Sequence, residues 1–322
     1  MKINQLDLFS GIGGFHLGFE RAGYKVTSFF SEIDKHAIAV YKHQFPNSTY
    51  VGSVTDVRGS ELPRIDLITF GSPCQDFSLA GKRKGMEGER SSLILEAIRL
   101  IGECRPRVFV WENVKGTFSS NNGEDFTAIL QAFANIGGYR LEWQLLNTSW
   151  FLPQNRERIY LVGYSTTTKR NWRGVFPIGE GNQSNSELEC AGKAVTKCLT
   201  ARGQEGHAGM QLVKVKQIGT KLDSNGGTQP YQQDRVYDAD GLVPALNQGK
   251  SDLIIKNNYR IRRLTPIECE RLQGFPDNHT AFGIYDDQKK PMSNTQRYKQ
   301  CGNAVTVDVV QAVAEQCKPL FK

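Results

Sequence analysis

Residues 69–85, TFGSPCQDFSLAGKRKG, combine a cysteine that directly follows a proline with a basic stretch. The apolar segment Ile65 to Phe70 leads into them and has the composition of a buried strand. A cysteine at a strand end beside cations can have a lowered pKa, and its thiolate is a strong nucleophile. We predict that Cys74 is a nucleophile, whereas the commoner role of a lone cysteine is that of a buried structural residue.

The sequence offers Cys74 no dedicated histidine base, because neither His16 nor His36 lies in a motif that resembles a Cys-His protease site. The cysteine is therefore expected to attack an electrophile that is activated in another way. Glu112 follows the next predicted strand, Arg107 to Trp111. A carboxylic acid at this position can activate a substrate ring by holding or donating a proton.

The first residues of the chain predict a cofactor pocket. A short strand, Leu6 to Phe9, is followed by the run Gly11-Ile12-Gly13-Gly14, a helix, a second strand and then Glu32. This order is typical of a nucleotide-binding half of a doubly wound sheet, and a carboxylate after the second strand can accept hydrogen bonds from ribose hydroxyls. The spacing Gly-x-Gly-Gly does not require a pyrophosphate, which favours S-adenosylmethionine. A plain tight turn with a solvated Glu32 is the alternative reading of the motif.

Strands and helices continue to alternate as far as Tyr164, which predicts a mostly parallel sheet in a doubly wound α/β fold. Ligands of such folds bind at the carboxyl ends of the strands. The residues expected at such ends are Phe9, Glu32, Cys74 and Glu112.

Composition sets broad limits on function. The chain has 322 residues, a net charge of +7 and a pI of about 9.0, which favours a polyanionic partner. Its seven cysteines include no CxxC pair, so we expect neither disulfides nor a zinc knuckle, and no metal site is indicated. No apolar run is long enough for a membrane span, and the N-terminus does not resemble a signal peptide. The expected location is the cytoplasm.

Six blocks of the sequence, in the same order, resemble those of the DNA (cytosine-5)-methyltransferases of prokaryotic or phage restriction-modification type. They extend across nearly the whole chain and are LDLFSGIGGFHLGFERAGY, GSPCQDFSLAGKRKG, ENVKG, QNRERIYLVGY, RRLTPIECERLQGFPD and QCGNAVTVDVVQAVAE. The resemblance implies the Rossmann-like fold of S-adenosylmethionine-dependent methyltransferases with a smaller, β-rich target-recognition domain.

The resemblance also implies catalytic roles. Cys74 would attack C6 of a cytosine, Glu112 would hold or protonate N3, and a methyl group would pass from S-adenosylmethionine to C5. Arg158 would contact the flipped base, and Arg156 would support the site. Ser78 would contact a DNA phosphate.

The implied cofactor contacts come from several separate segments of the chain. Glu32 would take the ribose and Ile33 would pack on adenine. The family often has an acid where this chain has Ser53, so we predict weaker or differently arranged adenine recognition, since a neutral hydroxyl is the weaker acceptor. The remaining implied contacts are Phe9, Gly11, Gly14, Val54, Pro73, Leu93, Asn303 and Val305.

The middle of the chain is rich in Gly, Gln, Asn, Ser and Lys and is predicted to recognise DNA. We assign 1–172 to a catalytic domain, 173–297 to a target-recognition domain, and 298–322 to a segment that returns to the catalytic domain. A disordered linker is the alternative for the middle region. Base edges are expected to be read by Gln232, Gln233 and Arg235, and phosphates to be bound by Lys82, Arg83 and Lys84. Ala245-Leu246 stands where the family often has Thr-Leu, and Cys198-Leu199-Thr200 is a second candidate.

The predicted activity is therefore methylation of cytosine in a specific double-stranded DNA sequence, by a monomer on DNA, with protection from a restriction endonuclease as its role. Two alternatives remain open at this point. A tRNA cytosine-5 methyltransferase shares the same core, and a DNA-binding protein without activity would share the recognition region.

Overall fold

A computed structural model describes residues 1–72, 92–167, 174–179, 217–220, 235–238, 243–244, 254–257 and 260–322, with backbone only for the strands between 217 and 263. The strands are β1 (Lys2–Leu8), β2 (Lys25–Ser31), β3 (Thr49–Tyr50), β4 (Leu67–Gly71), β5 (Val108–Val114), β6 (Tyr139–Asn147), β7 (Gln154–Asn155), β8 (Glu157–Ser165), β9 (Gln217–Thr220), β10 (Arg235–Asp238), β11 (Val243–Pro244), β12 (Ile254–Asn257), β13 (Arg260–Arg263), β14 (Phe282–Tyr285) and β15 (Gln288–Pro291). The α-helices are α1 (Gly14–Arg21), α2 (Lys35–Gln44), α3 (Ser92–Cys104), α4 (Gly116–Ser119), α5 (Glu124–Asn135), α6 (Pro266–Leu272), α7 (Asn294–Asn303) and α8 (Val307–Cys317).

The largest sheet has seven strands in the order β3-β2-β1-β4-β5-β8-β6. The first five strands in this order are parallel to one another, whereas β8 runs antiparallel to both β5 and β6. The prediction of a mostly parallel α/β sheet is confirmed. The strand order reverses beside β1 and β4, which is where doubly wound sheets bind ligands.

Apolar side chains alternate between the two faces of this sheet. On β5, Val108 and Val110 belong to the core layer with α1 and α8, whereas Phe109 and Trp111 belong to the layer with α3 and α5. This alternation follows from the two-residue period of a strand. A side chain at Gly163, the cross-strand partner of Phe109, would lie only 2.1 Å from the Phe109 ring. The glycine therefore lets the aromatic ring lie across β8.

Strand β5 is longer than the sequence predicted. We expected it to end at Trp111, but it continues through Glu112 to Val114. Its last residues pair with Arg158 to Tyr160 of β8, and this pairing keeps the backbone extended beyond the apolar run.

The second sheet contains β13-β12-β10-β9 and lies within the region predicted to be rich in β-structure. Strand β9 begins at Gln217, inside the predicted strand Gln211 to Ile218, of which residues 211–216 lie outside the described residues. Strand β12 begins at Ile254, one residue into the predicted strand Leu253 to Ile255. Each of the two strands predicted in this region therefore overlaps a described strand in part.

The last described stretch, 264–322, packs on the N-terminal part of the chain. Helix α8 lies against α1, and Tyr24 donates a hydrogen bond from its hydroxyl to Ala314 O at 2.9 Å. Residues between 264 and 297 also make such contacts, because the amide of Gln44 donates to His279 O and α2 packs on β14. The domain boundaries proposed from the sequence stay a prediction.

His279 belongs to this packing and is buried with its ring against Phe275, the centroids 4.5 Å apart. Its Nε2 lies 2.9 Å from Ile12 O, so the neutral ring carries its proton on Nε2 and donates a hydrogen bond to that carbonyl. Burial lowers the pKa of His279 to about 4.

This pKa leads to a prediction for stability. Because the unfolded His279 has a pKa near the ordinary value of about 6.5, the unfolded chain binds more protons than the folded chain between pH 6.5 and 4. The contribution of His279 is therefore fully present above about pH 6.5 and is lost as the pH falls. From about pH 7.5 to about pH 5, we expect the wild type to lose about 2 kcal/mol more of its unfolding free energy than His279→Gln does. Urea titrations at both pH values measure this, and an unchanged difference between the two proteins contradicts it.

Candidate active site

The carboxyl ends of four parallel strands form one edge of the main sheet. Leu8 pairs with Ser31 on one side and with Phe70 on the other, and Gly71 pairs with Glu112. The residues at or just beyond these ends therefore share one edge, as the sequence predicted for Phe9, Glu32 and Glu112. Pro73 and Cys74 follow β4 in the chain but lie outside the described residues.

The Glu32 carboxylate is held by backbone amides. Gly11 N–H donates to its Oε2 at 2.9 Å, and the N–H groups of Ile33 and Asp34 donate to its Oε1 at 2.8 and 2.9 Å. These contacts orient the carboxylate and link the glycine turn to the end of β2. The alternative of a merely solvated strand end does not describe a side chain with three such partners.

The surroundings of Glu32 fit a nucleoside. Ile33 is 79% exposed although it is large and apolar, so its side chain is available to a planar ring. None of the described residues would lie within 4 Å of a side chain added at Gly11, which leaves space among them beside the glycine turn. Phe9 adopts a φ of 51° at the start of this turn and is half-buried.

Other predicted cofactor contacts differ in their surroundings. Val54 is buried in the apolar layer with α3, and Leu93 is half-buried in the same layer. Gly14 packs on Val305, since an added Cβ would lie 2.6 Å from Val305 Cγ2. Asn303, the last residue of α7, is exposed. The structure thus brings Gly14 and Val305 together, whereas it places the Val54 side chain in the core.

Ser53 takes part in a short hydroxyl relay. Its Oγ lies 2.9 Å from Thr55 Oγ1, and Thr55 Oγ1 donates to Asp56 Oδ1 at 3.2 Å. The single hydroxyl proton of Thr55 is used by the carboxylate, so Ser53 is the donor to Thr55. The Ser53 oxygen therefore faces other groups as an acceptor.

Glu112 and Arg158 form an ion pair at the carboxyl edge, with Arg158 Nε 3.1 Å from Glu112 Oε1. Both side chains are largely buried, at 11% and 18% exposure. A Cβ at Gly71 would approach Glu112 Oε2 to 3.1 Å, so the glycine leaves room for the carboxylate beside β4. Tyr160 is the cross-strand partner of Glu112. Burial, and then the charge on Glu112, raise the pKa of Tyr160, so its phenol stays protonated.

Arg156 is buried near this edge and contacts backbone carbonyl groups. It is 4% exposed, and its Nη2 donates to Ala304 O at 2.9 Å while its Nη1 lies 3.4 Å from Gly302 O. The residue therefore joins the start of β8 to the turn between α7 and α8. The supporting role that the resemblance implies for Arg156 stays a prediction.

Sequence reasoning missed Ser72 and Trp111, whose side chains hydrogen bond to each other across β4 and β5. The signal was the position of Ser72 directly before the Pro-Cys pair, but a serine there has many possible partners. Of the predicted DNA contacts, Ser78, Lys82, Arg83, Lys84, Gln232, Gln233 and the side chain of Arg235 lie outside the described residues, as do Ala245-Leu246 and Cys198-Leu199-Thr200.

Two kinds of feature are absent from the part of the chain that the structure describes. It contains no group of His, Cys, Asp and Glu side chains that could hold a metal ion. Among the helices with described residues, none combines the length and apolar character needed to cross a membrane.

A family model described as C-5 cytosine-specific DNA methylase matches residues 3–319. The chain belongs to this family. The matched range contains the whole candidate site, from the glycine turn after β1 to the packing of α8 on α1. Membership of the methylase family thus accounts for the six sequence blocks.

Individual relatives of this methylase are Type II methyltransferases. The chain is 34% identical over 321 residues to M1.ScrFI of Lactococcus lactis subsp. cremoris, covering 98% of this chain and 78% of that protein. It is 34% identical over 317 residues to M.NlaX of Neisseria lactamica, and the match covers 97% of this chain and 95% of that protein. The S. pombe Dnmt2 methyltransferase structure shares the fold, with a TM-score of 0.69 at 19% identity over 99% of this chain and 100% of that one.

The contacts of Arg156 lead to a stability prediction. Arg156→Met leaves two buried carbonyl groups without these donors, so we expect a loss of about 3 kcal/mol in unfolding free energy. Arg271→Met is the matched control, because the Arg271 guanidinium also has a partner, the Asp277 carboxylate, but both of these side chains are exposed. Exposed ion pairs contribute little to stability, so we expect no resolved change in the unfolding free energy of Arg271→Met. Equal losses in the two variants, measured by urea titration, contradict the prediction.

Proposed function

We propose that this methylase transfers a methyl group from S-adenosylmethionine to C5 of a flipped cytosine in a specific duplex DNA sequence, through a covalent bond between Cys74 and C6. The observation that carries the proposal is the buried Glu112–Arg158 pair, at the end of the strand next to the one that leads into Pro73-Cys74. An acid held beside an incoming nucleophile is what attack on an unactivated cytosine ring requires.

The reaction uses Cys74 and Glu112 together. The Cys74 thiolate attacks C6, and the electron pair of the C5–C6 bond moves into the ring toward N3 and C5. Glu112 holds a proton at N3 and so stabilises this charge, which leaves C5 nucleophilic. After C5 has been methylated, the C5 proton passes to water and the N3 proton returns to Glu112. The electron pair of the C5–H bond re-forms the C5=C6 double bond, and the Sγ–C6 bond breaks with its electron pair leaving on the Cys74 thiolate.

Arg158 keeps the acid in place. Its Nε lies 3.1 Å from Oε1 of Glu112, and this ion pair would orient the carboxylate toward the base. A planar guanidinium that is held by the Glu157 carbonyl at 2.8 Å is also suited to contact the base itself. Arg156 stabilises the backbone around this pair through Gly302 and Ala304.

The residues around Glu32 fit S-adenosylmethionine. Glu32 would accept hydrogen bonds from the ribose, Ile33 would pack on adenine, and the acceptor oxygen of Ser53 would face the adenine amino group. The backbone of Phe9, Gly11 and the Pro73 segment would border the rest of the cofactor. When bound, this cofactor supplies an electrophilic methyl group on a sulfonium.

DNA binding follows from the reaction and from the charge of the chain. The target cytosine is inaccessible inside a stacked duplex, and its extrusion costs a few kcal/mol. Ser78, Lys82, Arg83 and Lys84 would bind phosphates near the nucleophile, and Gln232, Gln233 and Arg235 would read bases. The methylase would act as a monomer on cytoplasmic DNA and protect it from a restriction endonuclease.

The central prediction concerns covalent capture of the base. Bisulfite sequencing of DNA from cells that express the methylase identifies the target cytosine, and a duplex with 5-fluorocytosine at that site is then made. We expect the wild type to form a stable adduct and Cys74→Ala to form none. Glu112→Gln is expected to slow adduct formation by about 10²- to 10⁴-fold, because the ring loses its acid.

Two results contradict this prediction. Methylation of tRNA but not of DNA by the wild type would identify a tRNA methyltransferase. DNA binding without an adduct would identify a binding protein that lacks the activity.

A separate prediction concerns adenine recognition. Ser53→Asp places a charged acceptor where the chain has a neutral hydroxyl, so we expect about fivefold tighter binding of S-adenosylmethionine in calorimetry. Ser60→Asp introduces the same charge at an exposed position and is expected to leave the affinity unchanged. Equal or weaker binding by Ser53→Asp contradicts the prediction.

A further inference from the structure

Ser72 is the residue between β4 and the Pro73-Cys74 pair. It is only 6% exposed, although it is polar and stands at the end of a strand. Two side chains of β5 explain this burial. Trp111 Nε1 donates to Ser72 Oγ at 3.0 Å, and Asn113 Nδ2 lies 3.2 Å from the same oxygen and 3.3 Å from Ser72 O.

The two donors are themselves held in place. Asn113 accepts hydrogen bonds at its Oδ1 from Val114 N–H at 2.8 Å and from the Thr117 hydroxyl at 3.1 Å. Trp111 is completely buried, and its ring packs on Phe133 with centroids 5.7 Å apart. The position of Ser72 is thus determined by groups that have little freedom to move.

Glu112 lies between the two donors in the chain. Because neighbouring residues of a strand point to opposite faces, Trp111 and Asn113 reach Ser72 on one face while Glu112 points to the other. On that other face Glu112 stands beside Gly71, its backbone partner. The contacts to Ser72 therefore join the strand that carries the acid to the strand that leads to the nucleophile.

We propose that Ser72 is a positioning residue for the reaction, which fixes the start of the Pro73-Cys74 segment relative to Glu112. This inference rests on the proposed function, in which Cys74 and Glu112 act on the same base. Ser72 is not among the residues expected to contact the base or the cofactor, and it would act through the backbone of the residues that follow it. Its hydroxyl accepts two hydrogen bonds, which an alanine cannot replace.

The expected effect is on the covalent step. A displacement of about 1 Å between reacting groups can lower a rate by about 10²-fold. We therefore expect Ser72→Ala to slow adduct formation on the 5-fluorocytosine duplex by about 10- to 100-fold. The affinity for S-adenosylmethionine is expected to fall by no more than about fivefold, because only the Pro73 contact follows Ser72, whereas the contacts of Glu32, Ile33 and Ser53 are independent of it.

Ser28→Ala is the matched control. Ser28 is also a buried serine of the main sheet, and its hydroxyl lies 2.8 Å from the Tyr41 hydroxyl. This variant loses a buried hydrogen bond without touching β4 or β5. We expect adduct formation at the wild-type rate, as judged on denaturing gels after quenching at short times with full-length protein.

Trp111→Phe provides a second route to the same contact, in case Ser72→Ala does not fold. It removes the Nε1 donor, and Phe109→Leu controls for the lost ring volume in the same apolar layer. We expect Trp111→Phe to slow adduct formation at least about fivefold and Phe109→Leu to leave it unchanged, because only the first removes the hydrogen bond. The double variant Ser72→Ala/Trp111→Phe is expected to form the adduct no more slowly than Ser72→Ala alone, because both substitutions remove the same hydrogen bond.

The outcomes separate this inference from the proposed function. If the wild type forms no adduct, the proposed function is wrong. If the wild type forms it and Ser72→Ala stays within twofold, or if Ser28→Ala slows it equally, the positioning role is overturned. A rate in Trp111→Phe equal to that in Phe109→Leu also overturns it.

Discussion

The hydrogen-bonded register of β4, β5 and β8 decides which side chains meet at the carboxyl edge of the sheet. Gly71 pairs with Glu112, and Val114 pairs with Arg158. A slip of one residue would turn Glu112 to the opposite face, into the layer of Phe109 and Trp111, because side chains alternate between the faces. Since β8 runs opposite to β5, its first residues, rather than its last, reach the edge. The ion pair with Arg158 depends on this reversal.

Three charged side chains at this edge have partners among the described residues. The Glu112 carboxylate has Arg158, the Glu32 carboxylate has three backbone N–H groups, and the Arg156 guanidinium has two carbonyl oxygens. Asp7, deeper in β1, accepts from Thr69 and Tyr41, and burial raises its pKa well above the ordinary range. An unpaired charge in any of these places would be costly, so each group depends on its partner's position.

The two ends of the chain complete the site by packing on each other. A Cβ at Gly14 or at Gly18 would collide with Val305 or Val310, so the glycines of α1 allow α8 and the turn before it to approach. The same turn supplies the carbonyl groups that Arg156 holds. Packing of the C-terminal residues and support of the catalytic edge are therefore one structural arrangement.

Periodicity and short motifs in the sequence predict the mostly parallel α/β sheet, the segments that follow its strands and the methyltransferase family, and they single out the carboxylates Glu32 and Glu112. These features are local, since periodicity and short motifs express them within a few residues. The tertiary structure decided the length of β5, the pairing of Glu112 with Arg158, the partners of Arg156 and the contacts of Ser72. Each of these joins residues that are tens of residues or more apart, and strand register and core packing, which no local pattern encodes, bring them together.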